Sequence, residues 1–265
     1  MRPIIIIGAG GIVNDAHLPA YAIAGYKVAG IYDTDKENAV ATAKKFSLPV
    51  VYESMQDLLF RSPDGVVYDL AVPGTAMIDV LQQLSSSSAV LLQKPMGHNY
   101  AEAKQMLQLT REKQMIAGVN FQLRYAPFIL EARKIIQQEA FGDLCDIEIN
   151  VNAYTPWQLW KFLYDLPRVE ILYHSIHYID LIRSFLGNPQ SMYAKTVKHP
   201  LQAELASVRS NIIMDYGDMV RANILTNHHH RFGKEESYIK LEGTKGAVKI
   251  QMRSEEHTSE LQSPI

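Results

Sequence analysis

Across the first 120 residues, short apolar runs alternate with stretches whose apolar side chains recur every three or four positions. The runs are "PIIIIG", "YKVAGIYD", "GVVYDLAV", "AVLLQ" and "MIAGVNF", and they have the pattern of strands buried on both faces. Between them lie "NDAHLPAYAIA", "DKENAVATAKKF", "TAMIDVLQQL" and "YAEAKQMLQLTREKQ", which predict helices, with Asp35 and Asn99 placed as N-caps. Strand and helix in strict alternation predict a parallel, doubly wound α/β sheet.

The first strand-to-helix turn, "GAGGIV", carries candidate chemistry. Gly8 suits a tight turn and Gly10 a close backbone approach to a pyrophosphate. Gly11 and Ile12 open the helix whose first N–H groups bind anions. The third fingerprint position is Val13, which predicts a slightly wider helix–strand spacing. Asp33 ends the second strand at the distance expected for ribose hydroxyls, and its charge favours NAD over NADP. Lys36 nearby could still accept an extra phosphate, and Asp33 could simply cap the strand. Two further loops fall at the same sheet edge: "AVPGT", with Val72 and Pro73, and "QKPMG", where Lys94 follows a strand end and is fixed by the next proline. That placement predicts a lysine in the nucleotide crevice rather than a solvated one.

Composition narrows the class. With 265 residues, 47% hydrophobic and 20% charged, the chain has material for a real core and one or two domains. A formal net charge of −2 gives no electrostatic reason to expect nucleic acid or an anionic membrane. The single Cys145 excludes an internal disulfide and fits a cytoplasmic protein. The apolar start is broken by glycines and polar residues, unlike a secretory leader, and no run is long enough for a membrane span.

"VEILYHSIHYIDLIRSFLG", residues 169–187, holds His174, His177 and Asp180 at steps of three, which places them on one broad helix face. A metal site, a catalytic histidine with support, or a polar edge would each fit. No second segment completes a ligand set, so no metal is expected. The other histidine cluster, "NHHHRFG", sits where a strand should leave the sheet, and alternation sends His228 and His230 to one side and His229 to the other. Trp157 and Trp160 could stack on a sugar or pack in a core. Arg124 could hold a substrate hydroxyl or carboxylate, or form a salt bridge.

Together with "GVNFQLRYAP" and "YIKLEGTKGAVKI", the motifs "GAGGI", "QKPMG" and "IHYIDLIRSFLG" resemble the glucose–fructose oxidoreductase/inositol dehydrogenase/MocA family over residues 1 to about 252. The resemblance implies a Rossmann domain at 1–120 and a substrate and oligomerisation domain at 121–252. The second would be α+β with an open, mostly antiparallel sheet. It implies an NAD-dependent oxidoreductase acting on a hydroxyl or carbonyl of a sugar, polyol or related carbohydrate derivative, and a homo-oligomer. Lys94 matches the family lysine that contacts the reacting hydroxyl, although Gln93 stands where the family has glutamate. His177 matches the acid/base histidine. The aspartate often found four residues earlier is Tyr173 here, and Tyr173 or His174 is the candidate to replace it. A histidine titrates in the range such chemistry needs, and a lysine stabilises charge on the oxygen. Asp180 reads as structural, pairing Arg183 or holding the domain junction. Two alternatives follow from the same family: an NAD-using glycoside-cleaving enzyme and a non-catalytic dinucleotide-binding regulator.

From Arg253 the pattern stops, and "RSEEHTSELQS" can be back-translated from a sequencing-library adapter. Residues 253–265 are therefore expected to be a non-native tail on a truncated second domain, whose last strands would leave an unpaired edge.

Overall fold

The computed structural model describes residues 1–234 and 236–252. It divides into two compact units, which meet in sequence between Asn120 and Phe121. The expected tail at 253–265 lies outside the described residues.

The first unit is a five-stranded parallel sheet in the order β2-β1-β3-β4-β5. Its strands are β1 (Ile4–Ile7), β2 (Val28–Tyr32), β3 (Val67–Leu70), β4 (Ala89–Leu92) and β5 (Ile116–Val119). The four isoleucines of β1 are all buried, because helices cover both faces. One face packs against α1 (Leu18–Ile23) and α2 (Lys36–Phe46); the other packs against α4 (Gly74–Gln83) and α5 (Tyr100–Glu112). The side chain of Asp35 caps α2 through Glu37 N and Asn38 N, and that of Asn99 caps α5 through Glu102 N. A further short helix, α3 (Met55–Arg61), starts at Ser54, whose hydroxyl accepts from Asp57 N. The strand order reverses between β1 and β3, which is where open α/β sheets bind ligands.

The second unit is a six-stranded sheet in the order β11-β10-β6-β9-β8-β7. It comprises β6 (Leu144–Asn152), β7 (Ser191–Val197), β8 (Arg209–Asp215), β9 (Arg221–Asn227), β10 (Ser237–Gly243) and β11 (Ala247–Met252). Only β6 and β9 run parallel, so the sheet is mostly antiparallel. Alternation is clean: Ile147, Ile149 and Val151 of β6 point to a core shared with α6 (Pro127–Ile136) and α7 (Ile176–Leu186). The opposite face carries polar pairs such as Arg221–Asp146 and Tyr238–Glu148. Among the described residues no helix is long and apolar enough to cross a membrane.

Candidate active site

In the first unit the Gly-rich turn is held against the loop after β3. Gly8 adopts φ +111°, and a Cβ there would stand 2.3 Å from the Ala71 carbonyl oxygen. Only glycine therefore lets the two switch-point loops meet. At Gly10 the reverse holds: a Cβ would meet nothing within 4 Å, so its backbone faces open space. The helix begins at Gly11 and Ile12, whose N–H groups have no intrahelical acceptor by geometry. Asp33 is fixed beside this turn, accepting from Ala9 N at 2.6 Å and Asp35 N at 2.8 Å. Val72 and Pro73 lead into α4, which sets a second helix N-terminus at the same sheet edge. These residues fit a dinucleotide: an open backbone cradle, two helix starts and a fixed carboxylate. Lys36, the residue that could accept an extra phosphate, forms an exposed pair with Glu53 at 2.5 Å. Val13 is fully buried, and the helix opens there as a π turn over Val13–His17.

Lys94 follows β4 at this edge and is half-buried. The residue before it belongs to a network the sequence did not disclose. Asp69, on β3 and 0% exposed, accepts from His17 Nδ1 at 2.7 Å, Tyr21 Oη at 2.9 Å and Gln93 Nε2 at 3.2 Å. Gln93 in turn accepts from Asn120 Nδ2 at 3.1 Å. Burial first, then the Asp69 charge, pushes the Tyr21 phenol well above its ordinary range. A glutamate at 93, as the family resemblance implies, would set a second carboxylate within hydrogen-bond distance of Asp69. The readable signal was the charged residue inside the apolar run "VVYDLAV".

In the second unit a π turn over Ile171–Ser175 leads into α7. His177 is buried on α7, with the Phe121 ring edge-on at 6.0 Å. Tyr173 is half-buried, lies edge-on to Phe162 at 5.9 Å, and has its phenol pushed up by burial. His174 turns elsewhere. Its ring lies 4.2 Å from that of His228, tilted by 32°, and 5.2 Å from Trp157. Behind them Glu170, 0% exposed, accepts from Ser175 Oγ at 2.6 Å and Thr226 Oγ1 at 2.8 Å, both on Oε1. Burial raises its pKa, partly offset by those hydroxyls.

Several expectations need correction. Trp157 is 1% exposed in a cluster with Leu163, Val169, Leu205 and Val208, and its indole N–H donates to the His228 carbonyl, so it offers no face to a sugar. Trp160 packs half-buried on the same cluster. Arg124 makes a two-pronged pair with Asp180, which raises the guanidinium pKa further. Asp180 therefore serves Arg124, and Arg183 binds Asn188 instead. His228 and His229 are both buried, against simple alternation, because β9 ends at Asn227 and the chain turns. Among the described residues no group of three or more His, Cys, Asp or Glu could hold a metal ion.

The fold and the cradle define a Rossmann-type dinucleotide-binding protein, and comparison with known proteins names its family. Residues 2–121 match the oxidoreductase family, NAD-binding Rossmann fold, of Gfo/Idh/MocA proteins, and residues 129–249 match the Gfo/Idh/MocA C-terminal domain. The chain belongs to this family of NAD-binding oxidoreductases. It is 27% identical over 252 residues to trans-1,2-dihydrobenzene-1,2-diol dehydrogenase of Xenopus tropicalis, covering 92% of this chain and 74% of that protein. It is 28% identical over 164 residues to glucose-6-phosphate 3-dehydrogenase of Bacillus subtilis, covering 61% of this chain and 45% of that protein. An Agrobacterium radiobacter oxidoreductase solved with NAD+, L-tartaric acid and magnesium superposes with TM-score 0.82 at 18% identity, over 94% of this chain and 73% of that one.

Proposed function

We propose that this protein moves hydride between NAD and a ring or chain hydroxyl of a sugar, polyol or related carbohydrate derivative. The observation that carries the reading is Lys94, placed after β4 at the sheet edge that holds the Gly-rich turn and Asp33. The relatives' names support the substrate class, since one acts on a cyclic diol and another on glucose 6-phosphate.

In the oxidising direction Lys94 steadies negative charge on the substrate oxygen. His177 takes the hydroxyl proton, and Tyr173 and His174 support the histidine's side of the site. NAD, when bound, accepts the hydride, so the alcohol becomes a carbonyl and one proton is left on the protein. Gly8, Gly10, Gly11, Ile12, Val72 and Pro73 hold the dinucleotide, and Asp33 takes the ribose. A cytoplasmic homo-oligomer completes the reading. Tyr193, Ile213 and Leu225, exposed on β7, β8 and β9, supply apolar area for the subunit contact.

The test is NAD reduction with glucose 6-phosphate, myo-inositol and a trans-dihydrodiol, followed by Lys94→Ala with the best of them. The variant is expected to lose about 10²–10⁴-fold in kcat while binding NADH as the wild type does. Unchanged turnover would remove Lys94 from the reaction. NADH binding with no oxidation of any compound would favour the regulator reading.

A further inference from the structure

Where β9 ends, the chain is stitched back beside the end of β6. Thr155 N donates to the His228 carbonyl and His230 N to that of Ala153, both at 3.1 Å. This tie sets the His229 and Tyr154 rings side by side, with centroids 5.7 Å apart. The next residue, Arg231, lays its guanidinium over the Tyr154 ring at 4.8 Å and donates its Nε–H to His229 Nε2 at 3.2 Å. Arg231 is thus held by its face and by one nitrogen. Its two terminal amino groups have no hydrogen-bond acceptor among the described residues, and they form a preset fork.

What surrounds the fork is rich in donors and poor in acceptors. Because His229 accepts at Nε2, its neutral ring carries the proton on Nδ1, which is buried and has no partner. His230 Nε2 and Arg209 Nε are likewise buried without partners. His199 stacks 4.7 Å from His229 and accepts from Leu201 N at Nδ1, so its own proton sits at Nε2. Burial, followed by Arg209 and Arg231, pushes the His199 pKa down; burial, His199 and Arg231 do the same to His229. Among the described residues no carboxylate acts on either ring. Two guanidinium cations beside imidazole N–H donors leave positive charge here without an acceptor among the described residues to answer it. They suit an anion. A hollow lined by Tyr154, His230, Arg231 and Gly233 opens at this place.

We propose that Arg231 and His230 bind an anionic group, phosphate or carboxylate, carried by the substrate. His229 and Tyr154 are positioning residues that hold the arginine fork, so little side-chain entropy is lost on binding. The substrate class narrows to sugar phosphates or sugar acids. That narrowing rests on the carbohydrate reading above; the anion site itself does not.

The experiment is calorimetric titration of the full chain with NAD present, using inorganic phosphate, glucose 6-phosphate, glucuronate and glucose. Phosphate and at least one anionic sugar should bind, and bind better than glucose. Arg231→Ala should weaken the anionic ligands about 10- to 100-fold and leave glucose unchanged. Arg231→Lys, which keeps charge but loses the fork, should fall between. Preference for glucose 6-phosphate over glucuronate identifies phosphate as the natural group, and the reverse identifies carboxylate. Anionic sugars bound equally by wild type and Arg231→Ala, or no better than glucose by wild type, overturn the site. Failure of the carbohydrate reading looks different: phosphate binds through Arg231, yet no sugar is bound or oxidised.

Discussion

Each unit buries one carboxylate completely, and the two are handled in opposite ways. Asp69 in the parallel sheet spreads its donors over both oxygens: His17 and Tyr21 on Oδ2, Gln93 on Oδ1. Glu170 in the second unit gathers Ser175 and Thr226 on Oε1, while Oε2 is buried with no partner. His228 Nε2 stands 3.7 Å from Oε1, beyond a hydrogen bond. Asp69 thus has a hydrogen-bond donor on each oxygen and leaves neither buried alone. Hydroxyls on a single oxygen leave desolvation in command, and Glu170 is accordingly pushed toward its neutral form. The lesson is that burial alone does not describe an acid's environment; the distribution of donors over its two oxygens matters as much.

The largest effect should come from overloading the satisfied site. Gln93→Glu would place a second carboxylate against Asp69 Oδ1, where the amide now donates at 3.2 Å. An uncompensated buried charge of this kind costs about 3–5 kcal/mol. Urea unfolding should show that loss, and Asp69→Asn added to Gln93→Glu should recover most of it by restoring a donor–acceptor pair. If the double variant is as unstable as the single one, Asp69 is not the reason glutamine stands at 93.

A third buried carboxylate sharpens the contrast. Asp180, in the middle of the same helix as His177, is paired with Arg124, a partially exposed cation on the 3-10 turn Gln122–Tyr125. Arg124→Ala would strand that charge and should cost about 3 kcal/mol in urea unfolding, somewhat less than the Gln93→Glu loss because water can reach the gap. Arg124→Lys should recover only part, since it lacks the fork. A full-sized recovery by lysine would show that charge alone matters and that the two-pronged geometry is incidental.

Legibility in the sequence followed the same divide. The five parallel strands were readable because each is a short apolar run between helical stretches, and Asp35 and Asn99 announced their helices by side-chain caps that the structure contains. The helix Met55–Arg61 went unread because seven residues give too little periodicity, although Ser54 was a usable cap signal. In the second unit the polar partners are remote in sequence. For Asp180 the sequence offers Arg183, three residues away, or a role at the domain junction, whereas its partner Arg124 lies 56 residues back. Residues 154–168 carry aromatics without period, so the burial of Trp157 had no local signature. The turn after Asn227 also defeats alternation at the three histidines, because ring positions there depend on the tie to Ala153 and Thr155.

The smallest and most diagnostic effect concerns Glu170. Its folded pKa lies above its unfolded value, so the folded state holds the proton more tightly. The stability contributed by the protonated side chain is therefore fully present below the ordinary carboxylate range and is lost as pH rises through the folded pKa. Glu170→Gln keeps an acceptor for Ser175 and Thr226 and removes the ionisation. The variant should match the wild type in mildly acid solution and surpass it modestly near neutral pH, when urea midpoints are compared at several pH values. If Glu170→Gln weakens the fold equally at every pH, Glu170 is a charged member of the His228 and His174 cluster after all. The contrast between the two buried acids would then collapse into a single strategy.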